Sequence, residues 1–158
     1  MSTSSHGART FAKPIRKTVD LESVLQRAQF AFDACVRDSQ GELLVLIDRL
    51  IAIDTGQAAY YQGASLREVL RCANDLRGAA LTLGSETAAE VADAIFEFSE
   101  AVYPDGRVPK PLIVLLARSC RHLADPAATG DKTAYQAQLQ ALLTEARGKL
   151  LEEVVGRP

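Results

Sequence analysis

Cysteine is scarce: three residues in 158, at Cys35, Cys72 and Cys120. They lie far apart, each inside an apolar helical pattern, so the chain offers neither a CxxC metal or redox site nor a disulfide framework. They read as buried, reduced thiols packing as small hydrophobes, which suits a cytoplasmic address. Long apolar runs are missing as well. The longest, Leu112 to Ala117, covers six residues, whereas a bilayer-spanning helix takes about 20, so nothing is expected to cross a membrane. No charge dominates: 18 Lys and Arg face 20 Asp and Glu, and no basic tract follows residue 17. That balance argues against nucleic acid as a partner. Strict apolar–polar alternation is absent over any length that would make a convincing strand. No Ser-His-Asp set, paired-carboxylate motif, P-loop or dinucleotide fingerprint stands at a usable spacing, so no metal and no cofactor is expected.

What is present is ordinary globular composition, 47% hydrophobic and 24% charged, in a chain long enough for one domain with a substantial core. Residues 1 to 18 carry Arg9, Lys13, Arg16 and Lys17, several Ser and Thr, and no acid. This suits an organelle presequence or a disordered basic tail, and is read as the tail. The body is then expected over 19–124, with a helical extension over 125–158.

The periodicity is helical nearly everywhere, which predicts an all-α fold. Leu21, Val24, Leu25, Ala28, Phe32, Cys35 and Val36 recur at spacings of three and four and predict a first helix, with Gly41 as its stop. Leu43, Leu44, Leu46, Ile47, Leu50 and Ile51 predict a second, central to the core and ended by Asp54-Thr55-Gly56. Ser65-Leu66-Arg67-Glu68 fits a capping box and opens a third helix bearing Leu66, Val69, Ala73, Leu76 and Ala80, closed by Gly84 and Ser85. Ala88, Val91, Ile95, Phe98 and Val102 mark a fourth, and Tyr103-Pro104-Asp105-Gly106 a turn. A fifth follows Pro109 and Pro111, and a sixth, capped by Asp131, carries Tyr135, Leu139, Leu142, Leu143, Ala146 and Leu150. The short connections predict that helices two to five close an up-and-down antiparallel four-helix bundle, with helices one and six as additions.

The third helix says more than packing. At about 100° per residue, Arg67, Arg71, Asn74 and Gly78 fall on one strip opposite its apolar side. A glycine inside a helix costs about 1 kcal/mol relative to alanine, so Gly78 has a reason to be there: either another molecule approaches closely, or a neighbouring helix does. Arg67, Arg71 and Arg77, on or beside the strip, suit an acidic partner.

The stretch Ala73-Asn74-Asp75-Leu76-Arg77-Gly78-Ala79-Ala80-Leu81-Thr82-Leu83-Gly84 resembles the signature of histidine-containing phosphotransfer (HPt) domains, roughly Ala-His-x-Leu-Lys/Arg-Gly, small residues, then a further glycine. Bacterial HPt domains relay phosphoryl groups between histidine kinases and response-regulator receiver domains from a four-helix bundle. The resemblance covers about residues 41–124. It implies that Arg77 is the basic residue that assists at the phosphate, Gly78 the glycine that leaves room beside the histidine, and Gly84 the closing glycine. It also places Asn74 where the family has its phospho-accepting histidine. An imidazole nitrogen has an available lone pair, whereas the Asn amide nitrogen is delocalised into its carbonyl and is not nucleophilic. The resemblance therefore implies a pseudo-HPt module: no catalytic residue, and a docking surface of Arg67, Arg71, Asn74, Arg77, Gly78 and Leu81 for a receiver domain or kinase. Asp75 beside it reads as solvated surface.

Two other readings stay open. His122, in the last turn of the fifth helix, is the alternative phospho-acceptor, set against a local capping role favoured by the helix dipole; His6 lies in the tail. The sixth helix has an apolar stripe that must be covered, either by the bundle or by a second copy, so a homodimer or helical scaffold built through it is the other alternative.

Overall fold

The computed structural model describes residues 14–155 of the chain, and side chains over 20–152. Most of the basic tail read from the sequence lies outside the described residues. Five helices and one two-stranded ribbon follow in order: α1 (Pro14–Ile51), β1 (Tyr60–Gln62), α2 (Ala64–Thr82), α3 (Glu86–Val102), β2 (Arg107–Pro109), α4 (Lys110–Ala124) and α5 (Lys132–Val155). The fold is all-α apart from that ribbon. None of the described helices is long and apolar enough to cross a membrane. The chain divides into two compact units, one ending at Asp38 and one beginning at Ser39.

Gly41 does not stop a helix. The first two predicted helices are one, because α1 runs through Gly41 without a break. A glycine costs a helix about 1 kcal/mol, and beyond Gly41 the apolar residues Leu43, Ile47 and Leu50 return to one face and are fully buried or nearly so. That burial outweighs the penalty. Gly84 does end its helix: φ there is 73°, the Ser85 N–H donates to the Ala80 carbonyl at 2.9 Å and the Gly84 N–H to Leu81 at 3.4 Å. This is the Schellman closure that a residue with positive φ allows.

The capping box is also corrected. Gly63 precedes α2 with no side-chain cap. The Ser65 hydroxyl instead turns back to β1, accepting from the Gln62 N–H at 3.0 Å and donating to the Gln62 carbonyl at 2.9 Å. Glu68 is left to pair with Arg71 at 3.5 Å. The ribbon itself was not foreseen. Tyr60 pairs with Pro109 and Gln62 with Arg107 in antiparallel register, a tie between the entry to α2 and the entry to α4 that buries Tyr61 and Val108.

Within the second unit, α2 packs along α3, α3 along α4, and α5 against both α3 and α4. The C-terminal turns of α1 are linked to α2 by Arg49–Asp75 at 2.9 Å and to α4 by Arg121–Asp48 at 2.6 Å. One continuous core results, built from Ile47, Leu50, Leu66, Leu76, Ile95 and Leu116 among others. Asp131 caps α5 by accepting from the N–H groups of Thr133 and Ala134. α5 runs parallel to α3: Thr87 donates to Gln136 at 3.2 Å, Gln140 to Glu90 at 2.8 Å, and Arg147 pairs with Glu97 at 3.5 Å. Its Leu139 and Leu143 are buried there.

Candidate functional site

The exposed side of α2 is set by its buried one. Leu66, Val69, Cys72, Ala73, Leu76 and Ala80 are buried, which turns Arg67, Arg71, Asn74, Gly78 and Leu81 to solvent. The first four are the strip read from the sequence, and Leu81, which borders it, is a large apolar side chain that is largely exposed. A Cβ added at Gly78 would meet nothing within 4 Å. No neighbouring helix among the described residues occupies the space, so the glycine does not serve packing against any of them.

Arg77 lies half-buried between the strip and α3. Its guanidinium donates to the Asn74 Oδ1 at 2.9 Å and to Asp93 at 3.1 Å, and lies over the Phe96 ring, 4.6 Å from its centre. A cation shared in this way between an amide, a carboxylate and a ring face is restrained on three sides. The Asn74 carbonyl oxygen is thereby occupied. Since a guanidinium only donates, the amide NH2 of Asn74 points away from Arg77 with two donors of its own.

The other arginines are engaged more loosely. Arg67 donates to the Tyr103 hydroxyl at 3.4 Å, while Arg71 pairs with Glu68 within its own helix. Asp75 is more than solvated surface, for it holds Arg49 of α1, and that bond pushes the Arg49 guanidinium further above its ordinary value. The strip is therefore a mixed surface with donors outermost. Asp93 and Phe96, which position Arg77, could not be found from the sequence, because nothing in the spacing of α3 pairs them with a residue of α2.

His122 stands apart from this site. Its ring stacks on Tyr135 of α5, centroids 4.4 Å apart at 29° between planes, and it is half-buried. The three thiols divide. Cys72 and Cys120 are buried, and burial pushes both upward, Cys120 to about 12. Cys35 is exposed, contrary to the expectation for all three, since no described element of its unit covers it. No group of His, Cys, Asp and Glu among the described residues is disposed to hold a metal ion. Two clefts occur away from the strip. One of about 590 Å³ lies among Thr87, Cys120, Leu123, Lys132 and Gln136; another of about 330 Å³ lies among Phe98, Arg107, Leu112, Leu142 and Lys149.

No family model, no curated protein and no solved structure matches this chain.

Proposed function

We propose that this chain is a non-catalytic pseudo-HPt signalling module that binds a response-regulator receiver domain or a histidine kinase of a two-component phosphorelay and modulates it by occupancy. In this reading residues 39–51 of α1 form, with α2, α3 and α4, the antiparallel four-helix bundle of an HPt domain, and α5 is added beside α3. The ion pairs from α1 to both α2 and α4, and the packing of α2 on α3 and α3 on α4, support that arrangement.

The observation that carries the proposal is the exposed Asn74, anchored through Arg77 and next to a glycine whose missing side chain nothing in the molecule fills. That geometry suits the close approach of a partner and offers no nucleophile. The test is calorimetric titration of purified receiver and kinase domains from the source organism into the wild type and Gly78→Arg. The substitution enters open space and leaves the fold intact. Saturable binding by the wild type, weakened at least about tenfold in the variant, is the expected result; equal affinity of the two proteins refutes the proposal. Incubation with phosphorylated receivers separates it from phosphotransfer. Label that stays on the chain and disappears in His122→Ala would make His122 the acceptor and overturn the non-catalytic reading.

A further inference from the structure

Five large apolar side chains of α1 lie open to solvent within sixteen residues: Leu21 at 67% exposure, Val24 at 50%, Leu25 at 64%, Phe32 at 66% and Val36 at 40%. At about 100° per residue they fall, with Ala28, Ala31 and Cys35, on one stripe roughly 140° wide. Phe30 is exposed on the opposite side. The charged residues Glu22, Arg27, Asp33, Arg37 and Asp38 keep clear of the stripe. An amphipathic helix in a protein owes most of its stability to the packing of its apolar face. The segment ends in its own compact unit at Asp38, and none of the described residues of that unit covers the stripe.

We infer that the stripe is covered by the same stripe of a second copy, packed antiparallel with the two Ala28 residues at the crossing. Two observations select a second copy. The first is area. Side chains of these types offer about 100–200 Å² each when fully exposed, so at the exposures above the five leave roughly 500 Å² per copy. Two copies then bring together roughly 1,000 Å², the threshold of a specific interface. The second is size complementarity about one centre. With Ala28 facing Ala28 in antiparallel register, Leu21 meets Cys35 of the second copy, Val24 meets Phe32, and Leu25 meets Ala31. The three largest side chains, Leu21, Leu25 and Phe32, thus each face a smaller one, Val36 falls opposite Asp20 at the rim, and the small residue sits where the backbones come closest. A parallel pair would set Phe32 on Phe32, Leu25 on Leu25 and Leu21 on Leu21, so that every large side chain faces its equal. The inference is independent of the docking strip on α2, which belongs to the other unit.

The test uses the full chain. Light scattering across a dilution series should give a dimer for the wild type, and Leu25→Asp with Phe32→Asp should raise the dimer Kd at least about 100-fold while the second unit unfolds at an unchanged denaturant midpoint. A monomeric wild type at about 100 µM, or a double variant that stays dimeric, overturns the inference. Register is read by mild oxidation with copper phenanthroline. In the antiparallel pair the two Cys35 thiols stand roughly 20 Å apart, so the wild type should give no disulfide-linked dimer, whereas Leu21→Cys should link the new thiol to Cys35 across the interface. A Cys35–Cys35 link in the wild type refutes the antiparallel register.

Discussion

Replacing Gly78 by alanine should stabilise the protein. The residue lies inside α2, with full helical turns on either side, where glycine costs about 0.8–1.0 kcal/mol relative to alanine through the backbone freedom it gives up on folding. That gain is usually offset when the new methyl group meets a neighbour. Here the added Cβ meets nothing within 4 Å, so no overpacking is set against it. The Thr82 hydroxyl that donates to the Gly78 carbonyl at 3.0 Å bonds the backbone and is indifferent to the side chain. The net gain is therefore about 0.8–1 kcal/mol, close to a fivefold rise in the folded-to-unfolded ratio at 25 °C. In urea unfolding followed by circular dichroism, the midpoint should move up by about 0.5 M with an unchanged slope, and Tm by about 3–5 °C. An unchanged or lowered midpoint would mean that the glycine serves the fold after all, and would remove the reason for tying it to a partner. The proposed function adds a second readout, since the methyl group that stabilises the free protein should weaken partner binding.

Gly106 should behave in the opposite sense. An added Cβ there would lie 2.5 Å from the Val102 carbonyl oxygen and 2.6 Å from the Val102 Cβ, so Gly106→Ala should cost about 1–3 kcal/mol, read from the same urea midpoints. Thiol labelling of the native protein should modify Cys35 alone, with Cys72 and Cys120 reacting only at the rate of unfolding; mass spectrometry of a time course checks this, and early label on Cys120 would contradict its burial. Alkaline stability should carry the mark of Cys120. Its folded value, pushed up to about 12 from 9.0, exceeds that of the unfolded chain, so its contribution is complete below pH 9 and is lost as pH rises from 9 towards 12, at no more than about 1.4 kcal/mol per pH unit. Cys120→Ala should therefore lose stability less steeply than the wild type between pH 9 and 10.5, and parallel slopes would refute this.

The helices of the second unit were legible in the sequence because their apolar residues recur at helical spacing over four or more turns. Two end signals were legible for the same local reason. Gly84 is followed by Ser85, whose N–H can turn back to Ala80, and Asp131 stands directly before the N–H groups it accepts from. Gly41 misled because a glycine is a stop only when the following chain leaves the helix; Leu43, Ile47 and Leu50 continue its pattern, and only the core they enter decides between the two outcomes. The ribbon was invisible because three residues show no periodicity, and Tyr61 finds Val108 only once α2 and α3 bring them together. At the candidate site the exposed strip follows from one helix's wheel alone. The anchoring of Arg77 does not, since Asp93 and Phe96 come from another helix. Cys35 was misassigned because an apolar stripe in a sequence says that a face is to be covered without saying by what.

Asn74 is the residue at which the chemistry and the docking role of such a site come apart. A phospho-acceptor must present a lone pair to its partner, and the only lone pairs Asn74 owns are on Oδ1, which Arg77 already holds at 2.9 Å. What faces outward is the amide NH2, a donor. Arg67 and Arg71 add further donors along the same strip, and the acids beside it are paired, Asp93 with Arg77, Asp75 with Arg49 and Glu68 with Arg71 itself. On the proposed reading, the substitution at this position has thus changed the polarity of the contact as well as removing the nucleophile. The strip can receive a carboxylate-lined surface without any group being transferred, and Leu81 beside Gly78 supplies apolar area that makes such a contact more than electrostatic. A partner that binds here through its acids is held by donors that cannot react with it, so it stays occupied for as long as the complex lasts. On the proposed reading, modulation by occupancy then needs no catalytic step.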